Sequence, residues 1–376
     1  MMGLRGRKKT ALFFAAVALA AGVALAAQKI SFFVADPKTA TYDLDARVPA
    51  DALFFKGYDD TPYTSGLYYQ FDSDNGYDFY CHFIFADMGF LITKYIIDYK
   101  LHYPDGTYKV MGTKFDSDEG SMAKDRFEWR VGPNWVKGDR SSHKIHIETG
   151  PLRVDVVMKT AAPFYRVGGE GMMYIEPERD KHMRFFYFPM FKAEGTIKDG
   201  ATVINVNGWG YGNLTNSNFV ITNQTPLHTG LRWQKDGIGF DLHDYVSGPE
   251  YGGEWLGILI VYKDGKIIQV SQDYDKKNLD KVYEEKTKTH VPGSYSVRSD
   301  KQGVKVEIDF TGVKLSDYND PLIWLGTVEK YLIQLVTEPP LDLRFDGHVR
   351  MKVTMPGGEV IEKQGPGHGL ALVSQE

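Results

Sequence analysis

Asp-Gly occurs five times in this chain, at 105–106, 199–200, 236–237, 264–265 and 346–347, usually between alternating or β-branched runs. The pair tolerates the positive φ that a tight hairpin turn demands, so its recurrence is a strong local signal for antiparallel strands. In YIIDYKLHYPDGTYKVMGTKF (95–115) two strands flank Pro104-Asp105-Gly106. HKIHIETGPLRVDVVMK (143–159) turns at Thr149-Gly150, WLGILIVYKDGKIIQVS (255–271) at Asp264-Gly265, and LRFDGHVRMKVTM (343–355) at Asp346-Gly347. Only DPLIWLGTVEKYLIQLV (320–336) has a helical pattern: Asp320 as cap, Pro321 in the first turn, and Leu325, Val328, Leu332 and Leu335 on one face. Its β-branched and aromatic content supports a strand as the alternative. The expectation is an all-β antiparallel chain, sandwich or barrel.

Face composition narrows the architecture. In DFYCHFIFA, Phe79, Cys81, Phe83 and Phe85 share one face, and Tyr80, His82, Ile84 and Ala86 the other. HMRFFYFPMF (182–191) is again apolar on both faces. A strand greasy on both sides lies between layers or in the wall of a barrel with an apolar interior. Two sheets around an ordinary core would serve as well. One strand series ends near 192–200 and KAEGTIKDG opens another, which places a boundary there.

Arg5, Arg7, Lys8 and Lys9 precede an apolar run from Ala11 to Ala27, and Ala24-Leu25-Ala26 fits the small-residue pattern of signal cleavage. The run is shorter than the roughly 20 residues a spanning helix needs. The expectation is an exported protein of the periplasm or cell envelope, with the segment cleaved rather than kept as an anchor. Losing those four positive charges takes the formal charge from −5 to about −9, which argues against a nucleic-acid partner. The single Cys81 allows no internal disulfide.

Several chemistries are missing from the sequence. It has no HExxH, no paired cysteine cluster, no G-x-S-x-G and no phosphate or dinucleotide glycine loop. No metal site and no cofactor are expected. His143 and His146 are three residues apart, so on a strand they point to opposite faces and share no ion. GFDLHDY (239–245) is the one polar cluster: Asp241, His243 and Tyr245 share a face of a strand, as an acid–base pair or as a structural hydrogen-bond network. His228 and Trp233 join it if the intervening loop folds inward.

GWGYGNLTNSNF (208–219) puts three glycines among Trp209, Tyr211, Phe219 and three asparagines. It reads as a turn whose glycines permit close backbone approach. With PLHTGLRWQKDGIGFDLHDY, PEYGGEW and YKDGKII, it resembles the start of the second domain in a tandem-lipocalin (calycin) family of survival-factor-like, AttH-like and carotenoid 1,2-hydratase-like proteins. RFEWRVGPNWVKGDRSSHKIHIETG (126–150) is similar to the middle of that family's first domain. The resemblance implies two consecutive lipocalin-like antiparallel β-barrels packed together; with the signal peptide at 1–27 and the strand-series boundary, the first barrel is expected at 28–193 and the second at 194–376. It also implies the handling of hydrophobic molecules. Hydratase-like members carry an Asp and a His directly after Gly-x-Gly-Tyr. Here Gly212 and Asn213 follow Gly208, Gly210 and Tyr211. That departure leaves binding as the inheritance.

The leading expectation is therefore a non-catalytic lipid-binding or lipid-transfer protein. It would hold an acyl, sphingolipid-like or isoprenoid molecule in an apolar barrel cavity, with transient membrane or envelope-complex contact. Trp209, Tyr211, Asn213, Phe219, His228, Trp233 and His243 are the candidate ligand contacts. One alternative is a cofactor-free hydratase, isomerase or cyclase on a polyprenoid, with Asp241, His243 and Tyr245 moving protons. Another is a glycan-binding sandwich with aromatic stacking platforms.

Overall fold

The computed structural model describes residues 29–31, 48–55, 62–89, 93–166, 172–176, 182–219, 225–253, 255–284, 288–334 and 340–374. The apolar leader and the cleavage pattern at Ala24 to Ala27 lie outside them. The fold is all-β, two consecutive lipocalin-like barrels packed together.

The first sheet runs, in spatial order, Tyr108–Asp116, Thr93–His102, Asp78–Asp87, Tyr63–Ser73, Thr202–Ser217, His182–Asp199, Leu152–Thr160, Ser142–Thr149, Asn134–Gly138, Phe127–Val131 and Gly120–Met122. The second runs Lys266–Ser271, Trp255–Lys263, Ile238–Val246, Leu227–Lys235, Val360–Ser374, Pro340–Thr354, Val304–Asn319, Tyr295–Lys301 and Asp275–Asn278. Its far edge curls back on itself. The Gln269 amide donates to the carbonyls of Lys301 (3.0 Å) and Val304 (2.5 Å), and Gln302 donates to that of Val270 (3.0 Å).

The expected hairpins form at 105–106, 149–150, 199–200, 236–237 and 264–265. Asp236 and Gly237 have φ of 49° and 79°, and Asp264 and Gly265 of 47° and 74°, the double left-handed turn that Asp-Gly suits. Asp346-Gly347 is no turn, which corrects the fifth. It lies inside the continuous strand Pro340–Thr354, with Gly347 paired to Gly367. There the glycine makes room for a ring, since a Cβ would stand 2.6 Å from Phe310 Cε2. The turn comes instead at Pro356 to Gly358, where Met355 N–H donates to Glu359 O (2.9 Å).

The boundary at 193/194 is also revised. Residues 182–199 form one uninterrupted strand, and Thr202–Ser217 still pairs within the first sheet, against both His182–Asp199 and Tyr63–Ser73. The chain enters the second sheet with Leu227–Lys235.

Period-two alternation gives both faces of the long strands a job. Phe186, Phe188 and Phe191 fill the first barrel with Tyr69, Phe71, Phe79, Cys81 and Phe83. Met183, Phe185 and Tyr187, on the other face, pack across the seam with Tyr245, Ile258 and Ile260 of the second sheet. The register slips between Phe188 and Phe191, where Pro189 has no N–H to give the ladder. The second barrel has its own core around Leu231, Phe240, Leu259, Val306 and Val349.

The segment at 320–336 is helical in two short pieces rather than one. A 3-10 turn covers Pro321–Trp324, capped by Asp320 accepting from Leu322 N–H (2.9 Å), and an α-helix covers Thr327–Gln334. Gly326 separates them, Leu325 is buried and Val328 is 71% exposed, so the single shared face does not exist. Leu335 lies outside the described residues.

Candidate functional site

The barrels meet face to face, and alternation decides which side chains line the seam. On the first sheet, register aligns them in rows: Tyr80, Gln70 and Tyr211; then Asp98, His82, Tyr68 and Asn213; then Ile96, Ile84, Gly66 and Thr215; then Ala86, Thr64 and Ser217. Ionisable side chains give way along the strands to Ile96 and Ile84, and then to Ala86 with the hydroxyls of Thr64 and Ser217. The second sheet answers with Tyr245, His228, Leu372 and Asp342 in one row, His243, Gly230, Leu370 and Arg344 in the next, and Asp241, Arg232, His368 and Asp346 in a third. A cavity of about 360 Å³ lies between these faces. That is within the range of small-molecule sites.

Its polar wall is organised by Arg232, which is buried. Arg232 Nε donates to Asp241 Oδ1 (2.8 Å), and Nη2 lies 2.6 Å from His243 Nε2. His243 Nδ1 and His228 Nε2 are 3.0 Å apart, and the His228 ring stacks on Tyr245 at 4.2 Å. The guanidinium sits 4.3 Å from the Tyr211 ring and 5.1 Å from that of Tyr68, a cation–π clamp reaching across to the first barrel. Burial works against the Asp241 charge, but Arg232 and His243 outweigh it and hold the carboxyl below its usual range. Burial and the neighbouring Arg232 push His243 below its ordinary value, against the pull of Asp241, and burial with His243 pushes His228 well below its own.

A second polar group faces the cavity from the first sheet. Asp98 is 3% exposed, and burial, reinforced by Asp342 and opposed by Lys100, pushes its carboxyl up to about 7. Asn319 Nδ2 donates to Asp98 Oδ2 (3.3 Å), while Oδ1 has no hydrogen-bond partner and lies 3.9 Å from His82 Nδ1. Burial lowers His82 to about 4, so it too is neutral. The other end is apolar: Ile84, Ala86, Met88 and Ile96 from the first sheet, with Leu322 and Leu325 over the top, while Leu370 and Leu372 lie on the second sheet between Gly230 and His228 on one side and Arg344 and Asp342 on the other.

Of the residues singled out from sequence, Tyr211, Asn213, His228, His243 and Tyr245 line this cavity, with Asp241 bound behind them. Three lie elsewhere. Trp209 packs against Ala162, Met190 and Tyr262, Phe219 is buried in the seam cluster, and Trp233 faces the second barrel's interior, donating from Nε1 to Pro366 O (2.9 Å). Trp233 follows Arg232 directly, so period two sends it to the opposite face. His143 turns into the first barrel beside Tyr69 (2.5 Å), while His146 turns out to Asp155 (2.7 Å). The first barrel's interior is filled by aromatics, so the cavity lies between barrels rather than inside an apolar one.

Sequence reasoning missed Tyr68, Asp98, Arg232, Asp342 and His368 at this site. Tyr80 and His82 were visible as one face of their strand, and Arg232 immediately precedes the candidate Trp233. Asp72, Asp78 and His368 also bring carboxylate and imidazole atoms within 4.8 Å of one another, but Arg344 already supplies the positive charge there by pairing with Asp78.

Fold and site together define a double lipocalin-like β-barrel with a cavity at the seam. The chain belongs to the Svf1 family, which it matches over residues 25–323. No curated protein sequence matches it. Among solved structures it is similar to a putative AttH from Nitrosomonas europaea, at 13% identity and TM-score 0.62, covering 91% of this chain and 99% of that one. Kievitone hydratase from Nectria haematococca is similar at 10% identity and TM-score 0.56, covering 92% and 98%. CghA in complex with Sch210972 is similar at 12% identity and TM-score 0.55, covering 93% and 99%. At these identities the likeness is one of fold.

Proposed function

We propose that the protein binds and carries one elongated, hydrocarbon-rich molecule with a small polar end, held in the seam between its barrels. The observation that carries this reading is the gradient of the seam cavity, from Arg232, His243, His228 and Asp98 at one end to Ile84, Ala86, Ile96, Leu322 and Leu325 at the other. Hydrocarbon covered there gains about 25 cal/mol per Å². The polar end can satisfy a hydroxyl, carbonyl or amide without proton transfer. We assign the apolar leader an export function, so the ligand would be a lipid of the cell envelope or a free hydrophobic molecule encountered there.

A polyprenoid hydratase or cyclase is the second reading, favoured by the His243 and Asp241 pair at the cavity wall. Against it, Asp241 is committed to Arg232 and its basicity is lowered. One experiment separates the two. Protein purified from its host is extracted with organic solvent, and the extract is identified by mass spectrometry, for wild type and for Ala86→Trp, which fills the apolar end. Carriage expects one lipid class near stoichiometry in wild type and its loss in a still-folded variant. No lipid in wild type, or the same lipid in both, sinks the carrier. Conversion of added polyprenoids that is lost in Asp241→Asn would establish the enzyme.

A further inference from the structure

The residues covering the cavity's apolar end have an unusual outer face. Leu322 and Leu325 point inward, packing with Ile84, Met88 and Ile96. On the opposite side Ile323, Val328 and Tyr331 are 60%, 71% and 62% exposed, the three highest values among the exposed large apolar side chains of the described residues. Val328 and Tyr331 stand three apart on the helix Thr327–Gln334, hence on one face. A short amphipathic element that merely plugged a cavity would put polar residues outward. This one is apolar on both sides.

The cover is also held firmly. The Trp324 indole packs against the strand Tyr108–Asp116 at Gly112, where a Cβ would fall 2.4 Å from the ring. Lys114 pairs with Glu329, Lys330 with Asp320 (2.5 Å), and Lys94 with Asp116. Among the described residues, Lys94, Lys114 and Lys330 beside the apolar face are thus each neutralised by an acid. A surface so balanced gains nothing from an anionic or a cationic partner, and the tyrosine at its edge suits the level where headgroups meet acyl chains.

We propose that the outer face of 321–334 docks on a zwitterionic phospholipid surface, bringing the apolar end of the seam cavity to the bilayer. This rests on the carrier reading, since it is a hydrocarbon ligand that gives the cavity a reason to face a membrane. The ion pairs keep the cover seated while Ile323, Val328 and Tyr331 enter the interface. The ligand's chain then has only Leu322 and Leu325 to pass.

The test uses the full chain and phosphatidylcholine vesicles. The single native Cys81 is buried, so Val328→Cys can be labelled selectively with an environment-sensitive fluorophore. Vesicles should shift its emission to the blue and expose it to a lipid-borne quencher, while the same probe at Val203→Cys stays in water. Ile323→Ser/Val328→Ser/Tyr331→Ser should slow transfer of a fluorescent lipid between vesicles by about tenfold or more, with unchanged thermal unfolding. A probe at 328 that remains in water, or transfer undiminished in the triple variant, overturns the proposal. So does a probe desolvated before vesicles are added, since a second copy of the chain would then cover the face. Uptake of the fluorescent lipid from albumin, without vesicles, reads the cavity separately: uptake without docking removes this inference alone, and docking without uptake removes the carrier reading alone.

Discussion

Arg232 is the side chain on which the seam's polar wall depends. It neutralises Asp241, orders His243, and lies over the stacked rings of Tyr68 and Tyr211 from the other barrel. Arg232→Met should cost about 3–5 kcal/mol, because it leaves a buried carboxylate uncompensated. Arg232→Met/Asp241→Asn should recover part of that loss in urea unfolding. Asp98 makes a different prediction. Its carboxyl stays protonated to about 7 in the folded protein, against an ordinary 3.8, so folding takes up a proton between those values. Its contribution is therefore complete below 3.8 and is lost as pH rises through 7. The facing groups are His82, Lys100, Asp342 and Asn319, and neutral His82 tilts stability the opposite way between about 4 and 6.5. Subtracting Asp98→Asn from wild type isolates the slope. The variant should gain, relative to wild type, up to about 4 kcal/mol between pH 4 and pH 8. A flat difference curve would place the carboxyl in a better-solvated setting than its burial implies.

Among the elements, the strand Thr202–Ser217 repays attention, because its glycines suggested a turn. Gly208, Gly210 and Gly212 alternate with Trp209, Tyr211 and Asn213 at the strand period. The glycines face the neighbouring strand: a Cβ would fall 1.9 Å from Asp72 O at Gly208, and 2.5 Å from Gln70 O and Tyr68 O at Gly210 and Gly212. Their role is close approach, which lets Tyr63–Ser73 press in and turns Tyr211 outward to the cavity. Gly208→Ala and Gly210→Ala should each cost about 1–3 kcal/mol or more by overpacking against backbone, with thermal melts as the measure. Gly357→Ala, with nothing within 4 Å, should be neutral. The hairpins, strand faces and all-β class were legible because they depend on local φ and on period two. The partners of each face were not, since Asp98 meets Asn319 across 221 residues and Lys100 meets Asp317 across 217. Period two says which side chains share a surface. It is silent on what that surface meets, so Trp209 and Tyr211, neighbours on one face, end at different places.

At the scale of the whole molecule, the barrels are joined by buried charge as well as by apolar contact. Lys100 bridges Asp317 (2.8 Å) and Asp342 (3.1 Å), Arg344 pairs with Asp78, and Phe185 and Tyr187 pack on His243. Separating the barrels would hydrate all of these and leave each with one wet greasy face. Calorimetry should accordingly show a single transition whose van't Hoff and calorimetric enthalpies agree. Two resolved transitions would mean the seam is a weak contact.

The strand His182–Asp199 turns phenylalanines into one barrel and Met183, Phe185 and Tyr187 toward the other, so the two halves lean on a common wall. A guest in that wall is bound by neither half alone, and its affinity is a property of their union. By mass action, whatever occupies the seam raises the melting temperature of both barrels by the same ligand-dependent amount. A severed half has no such reward. On the proposed carrier function, partial proteolysis or premature termination would therefore leave fragments that cannot hold a ligand, and the ligand-bound form would be the one best protected from degradation.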